Sequence, residues 1–263
     1  MKLRFAKMSG AGNDFVLVEG PLSPGKASSL ARRLCGRRDG IMADGLLVVS
    51  KRGPRLDYFN ADGSAAFCGN GTRCAAWWAH RRGWTGGRRA FALTTSEGRL
   101  QVRVAGLGRA AVRMMSRAAR LGLRLKAAGR AHVVHAINTG VPHAVVFVNN
   151  LERVDVPRLG RALRNHGTFR PAGANVDFVQ AAGKHLLVRT YERGVEAETL
   201  ACGTGAVASA LIAALLGRAR PPIRVRTRGG DELKVSFRPA AAGAEDIWLE
   251  GPARILFTGE IDL

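Results

Sequence analysis

The chain has 263 residues, of which 46% are hydrophobic and 23% charged, enough to bury a substantial core as one large or two small domains. Its longest uncharged apolar run, residues 206–216, is roughly half of the ~20 residues a membrane-spanning helix needs, which excludes such a span. Forty-one basic against 20 acidic residues give +21; 7 are Lys, leaving 34 Arg, and they are scattered along the whole chain. So diffuse an excess arises from compositional bias as easily as from a polyanion-binding face, and aromatic residues, at 6%, argue against a stacking platform. Polar residues interrupt the N-terminus before an apolar segment could form, so a cytoplasmic protein is expected.

In chain order, the polar turn Gly10-Ala11-Gly12-Asn13-Asp14 feeds a β-branched strand. A helix is predicted through residues 27–34 and a strand at 46–49. Residues 56–60 read as another strand, followed by the acid-containing loop Asp62-Gly63-Ser64. Cys68-Gly69-Asn70-Gly71 then leads into a small-residue helical pattern over 72–80. Residues 109–130 hold seven basic and no acidic side chains. The helical spacing of Arg113, Arg117, Arg120 and Arg124 suggests a solvated connector or helix face. Beyond it lie Asn138-Thr139-Gly140-Val141-Pro142-His143, strands at 144–148 and 186–188, and the loop Glu192-Arg193-Gly194. Cys202-Gly203-Thr204-Gly205 opens a helix over 206–216, apolar on most sides and hence buried, which Gly217 and Pro221-Pro222 stop. Strands at 223–227, 233–237, 247–249 and 255–257 close the chain.

The two cysteine motifs and the Gly turns upstream of them form a repeat. Gly12 lies 56 residues before Cys68, and Gly140 lies 62 before Cys202. Two homologous halves follow, 1–116 with Cys68 and 117–263 with Cys202, the last strand being free to pack back on the first half. Cysteines this few, with no Cys-x-x-Cys, suit neither a disulfide framework nor a zinc site; Cys35 and Cys74 read as small buried hydrophobes. No metal is expected.

A thiol at a helix N-terminus faces unpaired N–H groups and the positive end of the dipole, which lowers a cysteine pKa from about 8.5 into the range of roughly 3.5–7.5. The glycines beside it let backbone amides approach an anion such as a carboxylate. One such thiol suggests a nucleophile or redox centre. Two matched ones suggest inversion at an α-carbon, one taking a proton and the other returning it from the opposite face. None of the seven lysines has the context of a pyridoxal Schiff base, so no cofactor is expected.

The motifs together resemble the diaminopimelate epimerase family. They are Lys7-Met8-Ser9-Gly10-Ala11-Gly12-Asn13-Asp14-Phe15, Asp44-Gly45-Leu46-Leu47, Phe59-Asn60-Ala61-Asp62-Gly63-Ser64, Cys68-Gly69-Asn70-Gly71-Thr72-Arg73-Cys74 and Asn138 to His143. Asn175-Val176-Asp177-Phe178, Tyr191-Glu192-Arg193-Gly194, Ala201-Cys202-Gly203-Thr204-Gly205-Ala206, Gly251-Pro252-Ala253 and Gly259-Glu260-Ile261 complete the order. The resemblance implies an α/β (α+β) fold of two pseudo-symmetric domains, each a mixed sheet or barrel wrapped around a central helix, with the substrate between them. It implies pyridoxal-independent conversion of LL-2,6-diaminopimelate to the meso form, in lysine and peptidoglycan precursor biosynthesis, with Cys68 and Cys202 as the acid/base pair.

On the same resemblance, Asn13, Asn60 and Asn175 bind the distal amino acid end. The amides of Gly69, Asn70, Gly203 and Thr204 hold the carboxylate at the reacting carbon, and His143 and Glu192 tune the thiols. Glu192 and Arg193 also suit a zwitterion from first principles, one accepting from ammonium and the other forking a carboxylate, although Glu196 and Glu198 are local partners for Arg193. The partner implied is a small-molecule substrate, with no nucleic acid and no membrane, and the family admits a homodimer. Val141 replaces an asparagine usual before Pro-His, the loop 194–199 is one residue longer than is common, and Met42 replaces a usual glycine. These departures leave open a same-fold racemase acting on another amino acid. An anion- or nucleic-acid-binding protein would instead show steep salt dependence and indifference to both cysteines.

Overall fold

A computed structural model describes residues 2–240 and 243–262. It is a mixed α/β structure in two compact units, Met1–Arg113 with Glu250–Leu263, and Met114–Leu249. In the first, strands β1 (Lys2–Gly10) and β2 (Asn13–Gly20) form an antiparallel hairpin. Ala11 (φ 53°) and Gly12 (φ 87°) turn it through the left-handed region that glycine tolerates. Helix α1 (Pro24–Cys35) carries the chain to β3 (Gly45–Ser50), which lies parallel to β2 with Phe15 opposite Gly45. Strands β4 (Arg55–Asn60) and β5 (Ala65–Ala66) pair antiparallel in turn. Helix α2 (Gly69–Arg81) then leads to β6 (Ala90–Thr95), β7 (Gly98–Gly106) and β8 (Arg109–Met114).

The second unit repeats the plan. Strands β9 (Arg120–Ala127), β10 (Arg130–Asn138) and β11 (Pro142–Phe147) run antiparallel. Helix α3 (Val156–Arg164) crosses to β12 (Asn175–Ala182), parallel to β11, and β13 (His185–Glu192) returns antiparallel. A short β14 (Ala197–Thr199) and helix α4 (Gly203–Leu215) follow, then β15 (Ile223–Arg226), β16 (Glu232–Ala240) and β17 (Gly243–Pro252). The last strand, β18 (Arg254–Asp262), pairs antiparallel with β1.

Each crossover helix buries one stripe. From α1, Ala27, Leu30, Ala31 and Leu34 pack with Val16, Val18, Leu46 and Val48 of β2 and β3. From α3, Val156 and Leu163 join Val146, Phe178 and Tyr191. Gly160 permits this approach, since a Cβ there would stand 2.5 Å from Tyr191 Cβ. Helix α4 is buried from Gly205 through Ala213.

Residues 109–130 correct the helical expectation. They form β8, a connector and β9, in which Leu125 and Ala127 are buried while Arg124 and Lys126 are exposed, a period of two. The arginine spacing reflects composition, and the Ala128-Gly129 turn (φ 48° and 82°) returns the chain into β10. Helix α3 has no counterpart in the sequence expectations. Its start is marked by Asp155, whose carboxylate accepts from Arg158 N (3.1 Å), and by Pro157 in the first turn. Among the described residues no helix is long and apolar enough to cross a membrane, and no three His, Cys, Asp or Glu are grouped to hold a metal ion.

Candidate active site

Both motif cysteines are helix N-caps, with the helices beginning inside the Cys-Gly-x-Gly tetrapeptides. Cys68 (φ −140°, ψ 112°) caps α2 and Cys202 (φ −122°, ψ 112°) caps α4. In each, the second glycine's N–H donates to Sγ at 3.4 Å, from Gly71 to Cys68 and from Gly205 to Cys202. The cysteine carbonyls accept from Thr72 N (2.8 Å) and Ala206 N (2.9 Å), closing the first turns. The amides of Gly69, Asn70, Gly203 and Thr204 belong to first turns, where no preceding carbonyl is in reach, so they suit an anion. None of the four cysteines is in a disulfide, and Cys35 and Cys74 are buried.

The second glycines are required for different reasons. A Cβ on Gly71 would lie 2.8 Å from Leu47 Cδ2. On Gly205 it would lie 2.3 Å from the carboxylate oxygen of Asp177. The Cys202 thiol sits deep, 8% exposed, and near charge. Burial pushes its pKa up, and Glu192 and Asp177 push it further, against the Thr204 hydroxyl and the Gly205 N–H. At Cys202, desolvation by packed neighbours opposes the lowering that a helix N-terminus and one N–H donor supply. Thr204 Oγ1 lies 3.3 Å from Cys202 Sγ, and Thr139 Oγ1 donates to the Thr204 carbonyl (3.0 Å), tying the turn down. Cys68 is half-buried.

His143 and Asp177 are fully buried, with Nδ1 2.7 Å from Oδ2; Thr190 Oγ1 donates to the other carboxylate oxygen at 2.8 Å. Asn175 Oδ1 accepts from Arg193 N (2.8 Å), so its Nδ2 faces His143 Nε2 at 3.5 Å. These contacts are satisfied together by the Nδ1–H tautomer of His143. His143 therefore reaches the thiol's surroundings through Asp177. Glu192 is half-buried, and burial raises its pKa. The Arg193 guanidinium donates to the Ala172 carbonyl (3.3 Å), while Glu198 pairs with Arg189 (2.6 Å) and Glu196 with Arg164 (2.9 Å). Its two local acidic candidates are thus engaged elsewhere.

In the first unit, Asn13 Nδ2 donates to Asp44 Oδ2 (2.8 Å) and its Oδ1 accepts from Asn70 Nδ2 (2.8 Å). Asn60 Nδ2 donates to Ser64 Oγ (2.9 Å), whose hydroxyl donates to Asp62 (2.5 Å), and its backbone N–H donates to the Ser64 carbonyl (2.9 Å). The buried Lys7 ammonium pairs with Asp14 and donates to the Met42 carbonyl, at the residue whose φ is 59°. The structure thus gathers Asn13 with Asn70, and His143 with Asn175, while Asn60 holds its own loop. Asp44, Arg73 and Asp177 were not assigned from sequence. Each lies inside a quoted motif, the only signal pointing to it; the partners of Asp44 and Asp177 come from distant segments, whereas Arg73 bonds Asn70 one turn away on α2.

Comparison with known proteins shows that the family profile described as Diaminopimelate epimerase matches residues 5–121 and 135–253. A diaminopimelate epimerase of Methanocella arvoryzae is 40% identical, covering 100% of this chain and 98% of the relative. One from Chlorobaculum tepidum is 38% identical over 97% of this chain and 100% of its own. Among solved structures, a phenazine biosynthesis protein of the PhzF family from Bacillus anthracis superposes with a TM-score of 0.73 at 15% identity, covering 100% of both chains, a likeness of fold.

Proposed function

The chain belongs to the diaminopimelate epimerase family, and we propose that it performs the inversion with its two N-cap thiols, Cys68 and Cys202. The enzyme is an isomerase of lysine biosynthesis that converts LL-diaminopimelate to the meso form. In the proposed scheme one cysteine thiolate takes the α-proton. The C–H electron pair passes onto the α-carbon and its carboxylate, and the other thiol returns a proton from the opposite face. The thiols thereby exchange protonation states, and transfer in reverse or with water restores them.

The observation that carries this reading is the matched pair of N-cap cysteines, each with its thiol at a helix N-terminus beside open first-turn amides. Those of Gly69, Asn70, Gly203 and Thr204 stabilise the charge that develops on the carboxylate as the proton leaves. Burial and the acidic neighbours of Cys202 favour its neutral thiol form, and which cysteine acts as base depends on the isomer bound. His143 acts on Cys202 through Asp177, and Glu192 acts on it directly. Asn13, Asn60 and Asn175 hold the distal end, with Glu192 and Arg193 taking ammonium and carboxylate.

Proton NMR of LL-diaminopimelate in heavy water with reduced protein, no pyridoxal added, tests the scheme. The expected result is loss of the α-proton signal with appearance of the meso isomer, abolished in Cys68→Ala and in Cys202→Ala while circular dichroism shows both folded. Turnover retained in either variant refutes the two-base scheme. Turnover of a different amino acid instead would place the difference at Val141 or the 194–199 loop.

A further inference from the structure

We propose that Arg73 and Asp44 are positioning residues that fix, from opposite ends, the direction in which Asn13 presents its amide to substrate; this rests on the reading above that Asn13 contacts the distal end. Arg73 is fully buried on α2, and its Nη2 donates to Asn70 Oδ1 at 2.7 Å. A guanidinium has donors only, so the Asn70 atom facing it must be the oxygen. Asn70 Nδ2 then faces two acceptors, the Ala11 carbonyl (3.2 Å) and Asn13 Oδ1 (2.8 Å). The carbonyl can only accept, which gives Asn70 the same orientation independently.

Asn13 must therefore turn its oxygen to Asn70 and its Nδ2 to Asp44, whose Oδ2 accepts at 2.8 Å. That carboxylate oxygen also accepts from Asp14 N (3.1 Å), and Asp44 N donates back to the Asp14 carbonyl (3.0 Å), which locks the acidic end. Turning Asn13 over would set oxygen against carboxylate and N–H against N–H, both repulsive. The backbone leaves no slack. Asn13 sits opposite Gly10 in the β1–β2 register, and a Cβ on Gly10 would fall 2.8 Å from Cys74 Sγ and 3.1 Å from the Asn70 carbonyl.

With one N–H and one lone pair used, Asn13 keeps a single N–H and a single lone pair, each at a set place. The first suits a carboxylate oxygen and the second an ammonium hydrogen. A distal amino acid centre carries both groups, so an amide that cannot turn distinguishes which stands where. The relay thus reads the configuration of the carbon that does not react.

The relay can be reversed without changing net charge. In Asn70→Asp the new carboxylate accepts from Arg73 but cannot donate to Asn13 Oδ1, so one of the two Asn13 bonds fails in either orientation. In Asn70→Asp/Asp44→Asn both ends are exchanged. Asn13, turned over, donates to residue 70 and accepts from residue 44, while the Ala11 carbonyl and the Asp14 N–H lose the partners they had, so stability returns only in part. The test measures thermal stability of the wild type, both single variants and the double variant, with steady-state kinetics on LL- and DD-diaminopimelate.

The expected result has two parts. The double variant loses less stability than the two single losses added together, and its preference for LL over DD falls at least tenfold, with the change falling on KM more than on kcat. Recovery of the wild-type preference along with stability would show a structural role only and overturn the proposal. Additive stability losses would overturn the relay itself. Should Asn70→Asp not fold, Asp44→Ala at the exposed end carries the test, since it removes the oxygen that accepts from Asn13, and an unchanged LL preference there refutes the acidic anchor. Wild-type protein inert toward both isomers would instead sink the functional reading, and the stability coupling would still report on the relay.

Discussion

Gly205→Ala isolates a requirement that helix propensity alone would miss. Alanine favours a helix over glycine by about 1 kcal/mol, so on local grounds the change should stabilise α4. Here the new Cβ would stand 2.3 Å from Asp177 Oδ1 and 3.2 Å from Thr190 Oγ1, where ordinary contact begins at 3.4 Å. Asp177 must shift by about 1 Å to clear it, and its bonds to His143 (2.7 Å) and Thr190 (2.8 Å) cannot both survive that. Overpacking costs about 1–3 kcal/mol, and losing a hydrogen bond to a charged group about 1.5–3 kcal/mol. Less the propensity gain, the net loss is about 1.5–5 kcal/mol, or a Tm lower by about 3–20 °C for a chain of this size. Scanning calorimetry of Gly205→Ala beside Gly69→Ala is the assay. Gly69 has nothing within 4 Å of its Cβ position, so that control should hold or gain stability. Equal Tm values for the two variants would refute the packing argument.

Burial raises the Cys35 thiol to about 11 and the Cys74 thiol to about 12, from about 9 when unfolded. The folded pKa values being the higher, their contribution is fully present below pH 9 and is lost as pH rises through about 11–12. Urea midpoints should therefore fall from pH 8 to pH 10.5, less steeply in Cys74→Ala; an unchanged slope in that variant would contradict the assignment. Arg189→Lys should cost roughly 1–3 kcal/mol, because lysine cannot reproduce the two-point pairing with Glu198 (2.6 and 2.7 Å) while also reaching the Leu151 carbonyl (3.0 Å). A urea midpoint equal to wild type would show the fork to be dispensable.

Much of this molecule is legible as sequence because its signals are local. A cysteine followed by Gly-x-Gly and a run of small residues can scarcely do other than cap a helix, and both motifs do so with the same 3.4 Å contact. The spacing of Gly turn, strand and cysteine repeats because each half uses a hairpin, a crossover helix and an antiparallel return. Asn13 and His143 stand out by position in their motifs. What stays illegible is whatever depends on partners far along the chain. Arginines three and four apart look helical at 113–124, yet Arg113 ends in β8, Arg117 lies in the connector, and pairing with β10 makes Arg120 and Arg124 strand. Asp177 lies 34 residues from His143, and Asp44 31 from Asn13, so neither contact leaves a trace in local spacing.

The sequence by itself determined where the thiols sit, because dihedral preference, glycine and capping act over four or five residues. Only the tertiary structure decided what those thiols are like. Burial and the two carboxylates brought beside Cys202 raise a pKa that its helix alone would lower. A neighbouring strand's carboxylate forbids a side chain at Gly205, and a buried guanidinium with a distant acid sets the direction of Asn13. Desolvation and hydrogen-bond direction are properties of assembled surroundings, and no stretch of the chain carries them alone.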